Sequence, residues 1–181
     1  MKTHFRMGLL TGVALLMLSS AASADGLGFG ARYTWVKGTD THKSSNMLGV
    51  LARLSGGMVG VEGAIDYRKD DLGGGANVKT WPVTASLLVY PFQSIYGLAG
   101  LGWYNATMEY PTSPGTAKKT STRLGYHLGA GIELPVVPRV KVAGEFRYIF
   151  LDYKFEDIPG EVGKRKADAF SLGAAVLLYL Q

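Results

Sequence analysis

Residues 27–35 read Leu27-Gly28-Phe29-Gly30-Ala31-Arg32-Tyr33-Thr34-Trp35. In an extended chain successive side chains point to opposite sides, so Leu27, Phe29, Ala31, Tyr33 and Trp35 share one face and Gly28, Gly30, Arg32 and Thr34 the other. The same period of two returns downstream. Val59, Val61, Gly63, Ile65 and Tyr67 oppose Gly60, Glu62, Ala64, Asp66 and Arg68, and Leu124, Tyr126, Leu128, Ala130 and Ile132 oppose Arg123, Gly125, His127, Gly129 and Gly131. Less regular alternation marks strands near 46–55, 79–90, 95–107, 139–151 and 168–180, which makes eight with the first three. In the strand at 95–107 the faces stay open: either Tyr96, Leu98 and Tyr104 or Ile95, Leu101 and Trp103 point outward. Sustained helical spacing of apolar residues is absent after residue 24.

Upstream of these strands, residues 1–24 read as a cleaved secretory signal peptide. Lys2 and Arg6 precede an apolar stretch from Met7 to Leu18, and Ala22-Ser23-Ala24 is a small-residue cleavage site. Residues 25–181 then form one domain. That apolar stretch is too short to cross a bilayer as a helix, and no later segment offers the roughly 20 apolar residues a helical span needs. Of the 19 basic side chains two lie in the signal, leaving 17 against 14 acidic ones. The bases are dispersed, which excludes a nucleic-acid surface, and Lys164-Arg165-Lys166 falls in an expected loop. Without cysteine, the exported domain has no disulfide to hold it.

The connections alternate in length. Gly56-Gly57, Pro91 to Ser94 and Pro135 to Pro138 are short, whereas Lys37 to Ser45, Asp70 to Val78, Met108 to Thr120 and Asp152 to Ala167 are long and polar. Eight strands put every short connection on one side and every long one on the other, as in a barrel with short periplasmic turns and long outer loops. Strands of about 9 to 14 residues suit a tilted crossing of the hydrocarbon layer. Aromatics gather near strand ends, with Trp35, Tyr67, Trp81, Tyr148 and Phe170 toward the outer rim and Phe29, Phe92 and Tyr96 toward the inner one. Pro82 falls at the outer end of its strand. A soluble barrel would carry its large apolar side chains inside and its charges outside; here the charges lie on the face rich in small residues. The expected fold is therefore all-β: an eight-stranded antiparallel up-and-down transmembrane β-barrel.

The segments Gly125-Tyr126-His127-Leu128-Gly129-Ala130-Gly131-Ile132-Glu133-Leu134 and Ala143-Gly144-Glu145-Phe146-Arg147-Tyr148 resemble the OmpA/OmpX-like family of outer-membrane β-barrel domains, over essentially residues 25–181. The last strand, with Ser171, Gly173, Val176 and Leu178, resembles the signal read by the outer-membrane assembly machinery, although the chain ends Tyr179-Leu180-Gln181 rather than on an aromatic residue. The resemblance implies a bacterial outer-membrane location and, as partners, outer-membrane lipids, lipopolysaccharide and that machinery. A monomer is expected. A wall-anchoring role is not.

The inner face collects Arg32, Arg53, Arg68, Arg123, Lys141 and Arg147 against Glu62, Asp66, Glu133 and Glu145, with His127 at mid-depth. Eight strands leave an interior only wide enough for side chains, so these groups are expected to pair as a structural plug. Arg53 is expected diagonally near Glu62, and Glu133 near Arg139 or Lys141. A rival reading makes Glu62, Glu145 and an arginine an ion or proton gate. Some barrels of this size are lipid A deacylases with a His-x-Ser pair, but His127 is followed two residues on by Gly129, so the nucleophile is missing and no enzyme is expected. His4, His42 and His127 are scattered, so no metal is expected, and Gly73-Gly74-Gly75 lacks the lysine and hydroxyl of a phosphate loop; no cofactor is implied. The function expected is envelope structure or surface interaction. The alternative is a narrow channel or an OmpW-like port for small hydrophobic molecules, which a hydrophobic trough or lateral opening would support.

Overall fold

The computed structural model describes residues 26–39, 44–73, 76–112, 115–154, 164–166 and 168–180. The expected signal peptide and His42 lie outside the described residues. Among the described residues there are eleven strands: β1 (Gly26–Gly38), β2 (Ser44–Gly56), β3 (Val59–Gly73), β4 (Ala76–Thr80), β5 (Val83–Phe92), β6 (Ile95–Thr112), β7 (Gly115–Val137), β8 (Val140–Phe150), β9 (Asp152–Lys154), β10 (Lys164–Lys166) and β11 (Ala169–Leu180). β4 and β5 are one stave interrupted at Trp81-Pro82, since both pair with β3 on one side and β6 on the other. β9 and β10 form a separate two-stranded ribbon. The remaining staves make a ring of eight in which each pairs antiparallel with its neighbour in sequence, and β1 closes the ring on β11 from Leu27↔Leu180 to Gly38↔Ala169. A closed ring leaves no unpaired edge, a condition for strands that cross hydrocarbon.

The side-chain faces follow the alternation. Leu48, Val50, Ile65, Leu87, Leu124, Leu128, Val176 and Leu178 point outward and stay exposed, while Arg32, Arg53, Glu62, Asp66 and His127 are buried inside. The open faces of β6 resolve in one direction: Ile95, Leu101 and Trp103 lie outside, and Tyr96 and Leu98 are buried in the lumen. Tyr96 is therefore not part of the inner aromatic girdle to which its position near a strand end had pointed. Tyr67, Trp81 and Trp103 stand exposed on three adjacent staves, forming an outer belt.

The turns at the end that holds both termini are tight. Gly57 adopts φ +58° between the pair Gly56↔Val59, a conformation that glycine reaches without steric cost. Between Val137 and Val140 the two-residue turn is Pro138-Arg139, and Arg139 sits at φ 70°. These turns also bond the neighbouring stave: Met58 O accepts from Tyr90 N at 2.8 Å, and Arg139 O from Tyr179 N at 2.7 Å.

At the opposite end the structure departs from the sequence reading. Met108 to Thr120 is not a loop, because β6 and β7 stay paired as far as Thr112↔Gly115. Asp70 to Val78 likewise continues the ladder between β3 and β4 up to Gly73↔Ala76, and Lys164-Arg165-Lys166 lies in β10 rather than in a loop. Pro82 is not the end of its stave: the break is bridged by Asp66 N donating to Pro82 O at 3.1 Å and Trp81 N to Asn105 O at 2.9 Å, and β4 continues beyond it. Polar composition marks solvent, and these ladders run on into solvent. The 18 residues of β6 rise about 45 Å at about 3.3 Å each and a tilt of about 40°, against an apolar band of about 25 Å. The excess stands outside the membrane as β-hairpins.

Candidate functional site: the charged lumen

The lumen is filled in three layers. Near the termini Leu177 and Tyr179 pack with Leu51, and Leu88, Tyr90, Tyr96 and Leu98 form a second group. At the outer end Ile149, Leu151 and Ala169 pack with Val36 and Tyr104. Between them lies a buried ionic network.

Glu62 is its hub. Arg53 stands directly across the β2–β3 ladder from Glu62, not diagonally, and donates to Oε2 from Nε at 3.0 Å and from a terminal nitrogen at 2.5 Å. Arg147 donates to Glu62 Oε1 at 2.6 Å, and Arg32 reaches the same oxygen at 3.4 Å. Arg32 also grips Asp66, with Nε to Oδ1 at 3.0 Å and a second short bond to Oδ2. The other terminal nitrogen of Arg53 donates to Glu133 Oε2 at 2.5 Å. Lys141 donates to Glu133 Oε1 at 2.8 Å. Of the two partners expected for Glu133, Lys141 is the one present; Arg139 stays exposed in its turn. Glu145 accepts from Arg147 Nε in a short bond and from Tyr96 Oη at 3.2 Å.

Arg32, Arg53, Lys141 and Arg147 thus meet Glu62, Asp66, Glu133 and Glu145, four cations against four carboxylates. A buried ion pair is tolerable only when geometry is good and the remaining lone pairs and protons are also met. Hydroxyls complete the set: Tyr179 Oη donates to Glu133 at 3.2 Å, and Arg53 reaches Tyr96 Oη at 3.3 Å. Ser86 Oγ bonds His127 Nε2 at 2.8 Å and lies 3.5 Å from Arg147. With Arg32 on β1, Arg53 on β2, Glu62 on β3, Ser86 on β5, Tyr96 on β6, Glu133 on β7, Glu145 on β8 and Tyr179 on β11, every stave contributes a side chain. Small inner residues make this possible: a Cβ at Gly49 would collide with Asp66 Oδ1, and one at Gly100 would meet His127 Nε2 at 2.6 Å.

Arg123 and Arg68 were also expected on the inner face. Arg123 faces inward near the outer end, and Arg68 pairs with Asp70 at 2.7 Å. In β11 Ser171 is buried and Gly173 faces the lumen, while Val176 and Leu178 point outward. Sequence reasoning missed Tyr96, Tyr179 and Ser86. Parity placed Tyr179 on the face of Ser171 and Gly173, so its inward direction was available. It also missed that a serine does meet His127, because Ser86 comes from another stave rather than from two residues on. Both are buried on the inner face, at 5% and 1% exposure.

A void lined by Arg32, Leu51, Arg53, Tyr96, Ala143, Glu145, Gly173 and Ala175 admits the centre of a water-sized sphere over only about 10 Å³. That is room for about one water molecule.

A closed ring of eight antiparallel strands, apolar outside and ionic inside, defines a small transmembrane β-barrel. Residues 8–176 match the outer membrane protein beta-barrel domain, and the chain belongs to that family; it is a protein of the bacterial outer membrane. Among solved structures, Neisserial surface protein A (NspA) is similar with a TM-score of 0.56 at 17% identity, covering 87% of this chain and 99% of that one. A major outer membrane protein from Thermus thermophilus gives 0.55 at 16% identity, covering 84% and 99%. At such identities the likeness is one of fold. No curated protein sequence matches the chain significantly.

Proposed function

We propose that the protein is a non-enzymatic structural barrel of the outer membrane, its lumen plugged by the ionic network, and that it serves envelope integrity or surface interaction through its outer hairpins. The observation that carries this reading is the charge-balanced cross-link to which all eight staves contribute, with space for about one water beside it. A conducting lumen needs a continuous aqueous path, and an ion gate needs a carboxylate or arginine free to swing. Each of the four carboxylates is instead held by at least one cation. A port for small hydrophobic molecules needs an apolar trough, and the apolar residues at both ends of the lumen are packed against one another. Catalysis is disfavoured because Ser86 and His127 are enclosed with Arg147 and reach no lipid or solvent.

Planar-bilayer recording tests the proposal. The unmodified protein is expected to give little or intermittent conductance, and Glu62→Gln or Arg53→Met alone to raise it by loosening the plug. Large, steady conductance of the unmodified protein would establish the channel reading instead.

A further inference from the structure

Outside the membrane the ring of strands opens on one side. β7 keeps its partner β6 as far as Thr112↔Gly115, but its ladder with β8 stops at Tyr126↔Phe150. The chain after β8 is drawn away: Leu151 N donates to Asp168 Oδ1 at 3.4 Å, and β9 then pairs with β10. Among the described residues, no strand pairs with residues 115–125 of β7 on the side that β8 occupies lower down. The outer sheet of β3, β4, β6 and β7 thus ends in an open edge.

The direction of its backbone groups follows from one bond. Trp81 N donates to Asn105 O at 2.9 Å, so the main-chain groups of Asn105 face Trp81 and not β7. Asn105↔Thr122 is therefore a non-hydrogen-bonded pair, the kind in which side chains approach most closely. Thr122 Oγ1 accordingly donates to Asn105 Oδ1 at 2.7 Å, and the hydroxyls of Thr107 and Thr120 lie 2.9 Å apart. By the period of two, Lys118, Thr120 and Thr122 turn N–H and C=O to the open side, while Lys119, Ser121 and Arg123 direct theirs to β6. Thr122 and Lys118 lie beyond Leu124, which stands opposite Trp103 of the aromatic belt. At the strand rise and tilt used above they are about 5 Å and about 15 Å further out, past the hydrocarbon in which an unpaired edge is excluded.

We propose that this edge of β7 takes up an extended, acidic segment of a partner protein as an added strand, an inference that rests on the surface-interaction reading above. Main-chain bonds to Lys118, Thr120 and Thr122 supply the affinity, as at other exposed sheet edges. Charge selects the segment. Residues 115–125 hold Lys118, Lys119 and Arg123 and no acidic residue. On the outward face Glu109 lies 3.2 Å from Lys118 and 2.9 Å from Lys79, and further along Asp71 shares the face of Lys69, so three lysines meet two carboxylates. A second copy offering its own β7 edge brings like charge, whereas carboxylates at alternate positions of an incoming strand meet Lys118.

The test uses the full-length barrel in phosphatidylcholine bilayer discs and a synthetic peptide of alternating valine and glutamate, with amide exchange followed residue by residue by NMR. In the protein alone the amides of Lys118, Thr120 and Thr122 are expected to exchange rapidly and those of Lys119 and Ser121 slowly. The peptide should slow the first three about tenfold or more and leave the other two unchanged. The same peptide N-methylated at alternate residues, which removes the donors along one edge, should bind about tenfold more weakly. A valine–lysine peptide should bind about fivefold more weakly. Thr120→Pro removes an N–H that faces the open side and none that bonds β6, so it should abolish the slowing at Lys118 and Thr122, whereas Thr120→Val should keep it; heat-dependent gel mobility establishes that both variants are folded. Unchanged exchange with the valine–glutamate peptide overturns the proposal, as does equal binding of the N-methylated or the valine–lysine peptide. Slow exchange at Lys118, Thr120 and Thr122 before any peptide is added, as a second copy docking Asp70 and Asp71 of its β3 would cause, overturns it too. Conductance reads the lumen alone, so failure here leaves the plugged barrel standing.

Discussion

Neutralising Glu62 separates a balanced ionic lumen from a collection of independent pairs. Glu62 is 3% exposed and meets three arginines, Arg32, Arg53 and Arg147. Glu62→Gln keeps the shape and leaves four cations facing three carboxylates. Arg32 retains Asp66, Arg147 retains Glu145 and Arg53 retains Glu133, so the cost is that of one unbalanced buried charge, about 3–5 kcal/mol. Adding Arg53→Met removes one cation and restores three against three. Glu133 then keeps Lys141 and Tyr179, and methionine fills most of the arginine stem's volume. The double variant should therefore recover more than half of the loss, because removing both partners of a buried pair is often nearly neutral. The assay is urea unfolding of the barrel in lipid vesicles, followed by tryptophan fluorescence, with heat-dependent gel mobility as a second readout. A double variant no more stable than Glu62→Gln would refute charge balance as the organising principle, and equal stability of all three proteins would show that these side chains face water.

The other expectations concern assembly, a turn and the outer hairpins. Val176→Asp puts a carboxylate on the lipid face and should reduce outer-membrane yield, and Gly173→Asp adds a fifth carboxylate beside Arg32, where a Cβ fits at 3.7 Å from Thr34 Oγ1, so its loss should appear as lower stability of the protein that does assemble. Arg139→Gly should stabilise the barrel by about 1 kcal/mol in the same urea assay, because a non-glycine residue at φ 70° is strained. The Lys79 and Lys118 ammonium groups hold the Glu109 carboxyl below its ordinary range. Its contribution is then fully present above the ordinary carboxylate pKa and is lost as pH falls through the lowered one, so amide exchange in β4 and in the outer part of β6 should be constant near neutrality and accelerate only in acid. Acceleration already between pH 6 and pH 8 would contradict the assignment.

Eight crossings, the short turns at one end and the inward face of most staves were legible because a strand has period two and a bilayer enforces the sorting of its faces. Arg32, Glu62, Asp66 and His127 could be placed inside from neighbours in the chain alone. Membrane sorting ends where the membrane does, so composition did not show that β6 and β7 stay paired up to Thr112 and Gly115 in water. The face of β6 was undecided for a related reason: both of its faces carry large apolar residues, and only pairing with β7, in which Tyr96 lies opposite Gly131, turns Tyr96 into the lumen. Partnership across the lumen was also beyond the sequence. Arg147 and Glu62 are 85 residues apart, Arg53 and Glu133 80, and Ser86 and His127 41. Alternation says that each of these points inward, but which inward side chains meet depends on ring closure and on the stagger of all eight staves, and that is set only when β1 pairs with β11.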